Sequence, residues 1–153
     1  MQRPITGFTQ DDEQHWVALL GCGHRQHVRH NPPLVSRPWV LTPEGRGQHL
    51  GVMLNCVNCE RFVLPEHFVP SKRTPEFTEA TVPAGLRKDH ATRAGTWARI
   101  HVLEGRLRYR VDAWKVDTVL TPEAPGTVVP EVLHSVEPLG PTRFYVEFYG
   151  APA

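Results

Sequence analysis

The chain of 153 residues is 40% hydrophobic, 22% charged and 8% aromatic, close to the globular average, which excludes a disordered, collagen-like or coiled-coil protein. Seventeen Lys+Arg against sixteen Asp+Glu leave a net charge of +1. Neither 1–61 (six basic, five acidic) nor 62–153 (eleven of each) carries a basic nucleic-acid footprint or an acidic tail.

Fifteen prolines and twelve glycines break up long helices and favour short strands joined by turns. Apolar runs such as 17–20 are too short to span a bilayer. The opening Met-Gln-Arg-Pro-Ile-Thr-Gly lacks the apolar core of a signal peptide. A soluble, cytoplasmic protein with no membrane or nucleic-acid partner is expected. An odd count of three cysteines in a reducing compartment argues for metal or redox chemistry over a disulfide framework.

The length allows one domain, or two small ones of roughly 60 and 90 residues, near the lower limit for an independent core. Composition shifts near residue 60: all three cysteines precede it, as do His15, His24, His27 and His30. The boundary is placed between 60 and 65, giving a module at 1–62 and a second at 63–153. In the first, 15–20 (His-Trp-Val-Ala-Leu-Leu) predicts a strand running into the turn Gly-Cys-Gly-His at 21–24. Residues 26–30 are its candidate hairpin partner, and 43–50 is at most one short helix. Residues 60–85, with Pro65, Pro70, Pro75 and Pro83, read as an extended connection with little regular structure. The second module reads almost wholly as β, with strands at 96–103, 106–114, 127–129, 135–138 and 143–149. Leu107, Tyr109 and Val111 share one face, and Arg106, Arg108 and Arg110 the other. Glu104-Gly105 reads as a hairpin turn. Many short strands with frequent turns predict a sandwich or barrel.

Cys22-Gly-His24 and Cys56-Val-Asn-Cys59 are two close-spaced ligand pairs separated along the chain. Zinc takes four soft or borderline donors in a tetrahedron, and ligands one to four residues apart on a tight turn meet that geometry locally. Gly23 lets the first turn bend sharply. The distant pair then staples a module too small to hold itself, with no open position for substrate. Buried cysteines acting as small apolar residues, or a thioredoxin-like pair, are the competing readings; no βαβ pattern surrounds the latter. The fourth ligand is open among His24, His27 and His30, with His24 favoured by its short spacing from Cys22. This stretch also resembles a small bacterial domain of uncharacterised function, through Ile-Thr-Gly-Phe at 5–8, the Cys-Gly-His-containing core at 22–33, Arg-Pro-Trp-Val at 37–40 and the closing Cys-x-x-Cys.

The second half carries His-Ala-Thr-Arg-Ala-Gly-Thr-Trp at 90–97, Val-Leu-Glu-Gly-Arg-Leu at 102–107, Val-Pro-Glu-Val-Leu-His-Ser-Val-Glu-Pro at 129–138 and Phe-Tyr at 148–149. As a set these resemble the TehB/YeaR-like domain, a small cupin associated with tellurite-resistance proteins. The resemblance implies a cupin-like (double-stranded β-helix) barrel that holds a metal ion or small anion. Cupins carry a His-x-His pair, a glutamate and a glycine, then a later histidine. Here only His90 stands near the pair, the glutamate position falls near Ala98, and the second motif keeps Gly126, Pro130 and His134 with shortened spacing.

The barrel site is expected at His90 and His134, each weighed against a histidine bonded to a local carbonyl. His101, Glu147 and Arg99 are supplements. Glu147 is expected to pair across the sheet with Arg99, and His101 to face solvent. The arginine stripe at 106–110 is expected to be a solvated face with carboxylate partners. The sequence thus predicts a mainly β protein, a zinc-stapled module followed by a cupin-like barrel that binds a metal ion or small ligand in a bacterial stress or tellurite-resistance setting. Zinc is the expected cofactor, with a second metal in the barrel as a further expectation. A metal-dependent cupin enzyme acting on a small molecule and a zinc-stabilised interaction module remain alternatives. Exposed strand edges are compatible with a homodimer.

Overall fold

The computed structural model describes residues 1–153, in two compact units, Met1–Cys59 and Glu60–Ala153. No helix is long and apolar enough to cross a membrane.

The first unit is built on an antiparallel sheet of β1 (Gln2–Gln10), β2 (Trp16–Leu20), β3 (Arg25–His27) and β4 (Met53–Asn55), in the order β3-β2-β1-β4. Strands β2 and β3 form the expected hairpin, pairing Val17 with His27 and Leu19 with Arg25. Gly23 in the turn has φ +96°, a left-handed conformation that only glycine adopts without cost. Along β1 the alternation is short but decisive: Arg3 and Ile5 are buried on one face. The short helix α1 (Pro43–Gln48) starts with proline at its first turn, and the Thr42 hydroxyl accepts from Gly45 N at 3.0 Å. A single helical turn, α2 (Val57–Glu60), follows β4.

The second unit contains two sheets. One has the order β10-β7-β12-β5, from β10 (Gly126–Val128), β7 (Trp97–Glu104), β12 (Arg143–Gly150) and β5 (Val69–Arg73), with β6 (Phe77–Thr78) also pairing β12. The other has the order β11-β8-β9, from β11 (Ser135–Pro138), β8 (Leu107–Val111) and β9 (Val116–Leu120). Period-2 burial is clear in β7, where Ala98, Ile100 and Val102 are buried, and in β8, where Leu107, Tyr109 and Val111 are. Arg108 on the opposite face of β8 forks onto Asp117 at 2.9 and 2.6 Å and lies 3.7 Å from Glu137, so that face is solvated and charge-paired. The Tyr109 hydroxyl donates to Thr127 O at 2.8 Å and ties β8 to β10 of the other sheet. Burial pushes the Tyr109 phenol pKa up, which keeps it a donor.

Two expectations are corrected. Residues 60–85 are not merely an extended connection: β5 and β6 within them both pair with β12. Prolines signalled loop, yet β5 lies at a sheet edge, where a missing N–H is tolerated. Glu104-Gly105 is not a hairpin turn either. β7 pairs with β10 and β12, β8 with β9 and β11, and the turn carries the chain from one sheet to the other. Gly105 has φ +79°, and a Cβ there would lie 2.1 Å from Pro141 O. The hairpin partner of β8 is β9, reached through a short turn with Lys115 at φ +55°.

Candidate functional site

The first unit brings Cys22, His24, Cys56 and Cys59 together, all buried, with one ligand atom from each lying within 4.8 Å of every other. The β2–β3 turn supplies Cys22 and His24. The end of β4 and the turn α2 supply Cys56 and Cys59. β1 lies between β2 and β4 in the sheet, so the two pairs converge only because that central strand spaces their turns.

Metal–sulfur bonds of about 2.3 Å and metal–nitrogen bonds of about 2.0–2.1 Å, set tetrahedrally, require S···S edges of about 3.8 Å and S···N edges of about 3.6 Å. His24 Nδ1 lies 3.4 Å from Cys22 Sγ, 3.4 Å from Cys56 Sγ and 3.8 Å from Cys59 Sγ, while Cys22 and Cys56 sulfurs are 3.8 Å apart. This donor set has the size and chemistry to hold one four-coordinate metal ion. His27 and His30 are engaged elsewhere: His27 Nε2 is 3.0 Å from Asp11 Oδ2, and His30 Nδ1 accepts from Arg37 N at 2.9 Å.

Arg3, 2% exposed, donates Nε–H to Cys59 Sγ at 3.4 Å. The Cys59 thiol is held below the ordinary thiol value. The hydrogen bond from Cys22 is the main cause, followed by His24 and Arg3. The same hydrogen bond and then burial hold the Cys22 thiol up, and burial raises Cys56. Arg3 escaped the sequence reading, because Pro4 and Gly7 obscured β1 as a strand; the alternation of Arg3 with Ile5 was the one available signal.

In the second unit His90 and His134 face each other across a β-bridge with reciprocal backbone bonds of 3.0 and 2.9 Å. Their rings lie 4.1 Å apart. His90 Nδ1 is 3.1 Å from Lys88 O, and His134 Nδ1 is 3.2 Å from Val132 O. An N–H on each Nδ1 satisfies those carbonyls and leaves the Nε2 lone pairs for another partner. Burial, and next the neighbouring His90, lower the His134 pKa to about 4, so its ring is neutral at neutral pH. Both histidines line a cavity of about 790 Å³ whose walls come from both sheets.

Arg99, His101 and Glu147 do not line that cavity. They lie on the opposite face of the large sheet from Ala98, Ile100 and Val146, which do. Glu147 stands opposite Arg99 in the register, but the expected ion pair between them does not form. Glu147 Oε1 instead accepts from Tyr149 OH at 2.8 Å and lies 3.2 Å from His101 Nε2. His101 is half-buried and stacks on Tyr145 at 4.9 Å. Arg99 sits over the Tyr149 ring, and its buried Nε has no hydrogen-bond partner. Rings on this face compete for the carboxylate, a contest that residue spacing does not reveal.

Comparison with known proteins divides the chain in the same way. Residues 6–63 match the model of a protein family of unknown function (DUF3565), and residues 72–146 match the TehB-like domain. The uncharacterized protein YeaR of Escherichia coli, in strains K12 and O157:H7, is 30% identical over 99 residues, covering 58% of this chain and 83% of that protein. Among solved structures, TehB from Haemophilus influenzae aligns with TM-score 0.52 at 26% identity, covering 56% of this chain but only 32% of TehB. A protein from E. coli strain K12 aligns with TM-score 0.53 at 25% identity, covering 58% of this chain and 96% of that one.

Proposed function

The chain belongs to the family of the E. coli protein YeaR, and from that premise we propose that it is a two-site binding protein. A structural zinc ion in the first unit staples the Cys22 turn to the Cys56–Cys59 turn. The second unit, read as a cupin-type double-stranded β-helix, binds a metal ion or a small ligand at His90 and His134. The tellurite- or stress-resistance setting is part of this proposal and rests on the resemblance in sequence.

The observation that carries the reading is the agreement of the sulfur–sulfur and sulfur–nitrogen distances with the edges of a zinc tetrahedron. Three thiolates and one imidazole fill all four positions, so the ion supplies folding energy and no open catalytic position. For the cavity, support comes from its size, within the roughly 300–1,000 Å³ typical of small-molecule sites, and from two imidazoles whose Nδ1 atoms are pinned by carbonyls.

The test is metal stoichiometry on the native chain, a Cys56→Ala, Cys59→Ala variant and a His90→Ala, His134→Ala variant. Zinc lost only from the cysteine variant supports the staple. A second metal lost only from the histidine variant assigns the cavity a metal of its own. Native protein purified and reconstituted with zinc that still holds none would sink the zinc reading.

A further inference from the structure

The cavity of the second unit has an asymmetric charge pattern. Its walls are apolar and aromatic, with Phe77, Ile100, Val136, Phe144, Val146 and Phe148 among them. No Asp or Glu lines it. Two cations do, Lys72 and Arg93, both exposed and neither paired with a carboxylate. Two half-buried arginines on other faces of the unit do hold carboxylates: Arg143 bonds Glu76 at 2.6 Å and Glu104 at 2.8 Å, and Arg108 takes Asp117 and Glu137.

The strand register places these cations at one end. Lys72, Phe148 and Ala98 form a single row across β5, β12 and β7. Arg93 lies in the loop that enters β7 at that end, with the Thr92 and Thr96 positions also lining the cavity. Phe77, paired with Phe144 at the start of β12, closes the far end.

Such a site selects by two separable effects. Apolar walls favour a ligand that gives up hydrocarbon surface to them. A small inorganic oxyanion would lose its hydration against those walls and recover little. Cations at the rim, with no carboxylate among the lining residues, attract an anion and repel an amine. We infer that the ligand of this cavity is an organic monoanion, a carboxylate with a hydrocarbon or aromatic body. The body lies between Ile100 and the phenylalanines, and the carboxylate lies at the rim beside Lys72 and Arg93. This deepens the proposed function, because it rests on the cavity being a ligand site.

Isothermal titration of the full-length, zinc-loaded chain with octanoate, 1-octanol, octylamine and tellurite tests it. Octanoate should bind about tenfold tighter than octanol, with octylamine and tellurite weaker still. A Lys72→Gln, Arg93→Gln variant should lose most of that tenfold preference while its octanol affinity stays unchanged. Both side chains are exposed, so the variant should keep its melting temperature. Octanol or octylamine binding as tightly as octanoate overturns the anion inference and leaves the cavity reading standing. Tellurite matching octanoate overturns it too, as does a double variant with unchanged octanoate affinity. If none of the three eight-carbon probes binds, the inference falls, and the metal stoichiometry of the His90→Ala, His134→Ala variant separately decides the cavity reading.

Discussion

Arg3 Nε donates to Cys59 Sγ at 3.4 Å across 56 positions of sequence, inside a site where both residues are buried. A dication held by three thiolates and a neutral imidazole carries a net charge of −1, and the guanidinium brings the buried assembly to neutrality. An uncompensated buried charge is costly, and partners beyond the ligands commonly govern metal affinity by about 10–100-fold. Arg3→Leu should therefore release zinc about tenfold faster to a chelator than the native chain, and Arg3→Lys should restore part of the retention. Identical release from Arg3→Leu would show that Arg3 only packs against the site.

Chelation should unfold the first unit selectively. Its sheet is four strands, two of them three residues long, and its core is correspondingly small. Hydrogen exchange after zinc removal should lose protection in β1 and β2 while β7 and β12 stay protected. Protection retained in β1 and β2 would mean that the unit folds without the ion.

His134 makes a pH-dependent contribution. Its folded pKa, about 4, lies below the ordinary 6.5, because burial and His90 disfavour the charged ring. The unfolded chain then binds the proton more tightly between these values. Stability is full above pH 6.5 and falls as pH drops towards 4, by about 2–3 kcal/mol from this group. Urea unfolding across that window should be steeper for the native chain than for His134→Asn. The cysteine cluster is common to both proteins and cancels in the comparison. Parallel pH curves would contradict the assignment.

Two glycines separate backbone strain from steric collision. Gly140 has φ +92° with nothing within 4 Å of a built Cβ, so Gly140→Ala should cost about 1 kcal/mol. Gly105 has φ +79° and its Cβ would lie 2.1 Å from Pro141 O, so Gly105→Ala should cost about 3 kcal/mol or more. Denaturant midpoints decide, and equal losses would remove the special status of the Gly105 crossing.

The local features were legible in the sequence for local reasons. Ligand spacing at Cys22/His24 and Cys56/Cys59, the alternation of Leu107, Tyr109 and Val111, and the 15–20 hairpin strand each lie within a few residues. There, side-chain period and turn chemistry dominate. The short strands β4 and β6, and β1 with its Pro4 and Gly7, left too little pattern to read.

What the sequence by itself determined is the chemistry on offer: a thiolate-rich donor set, two histidines ahead of strands, and a β-rich second unit. Tertiary structure alone decided which groups meet. It chose His24 over His27 and His30, because only the turn at Gly23 folds an imidazole onto the sulfurs. It buried Arg3 against Cys59, sent β7 and β8 into different sheets, and turned His101 and Glu147 away from the cavity that His90 and His134 share. Strand pairing joins residues tens of positions apart, and which pairs form depends on the free energy of the whole assembled core, a quantity that no local window of sequence contains.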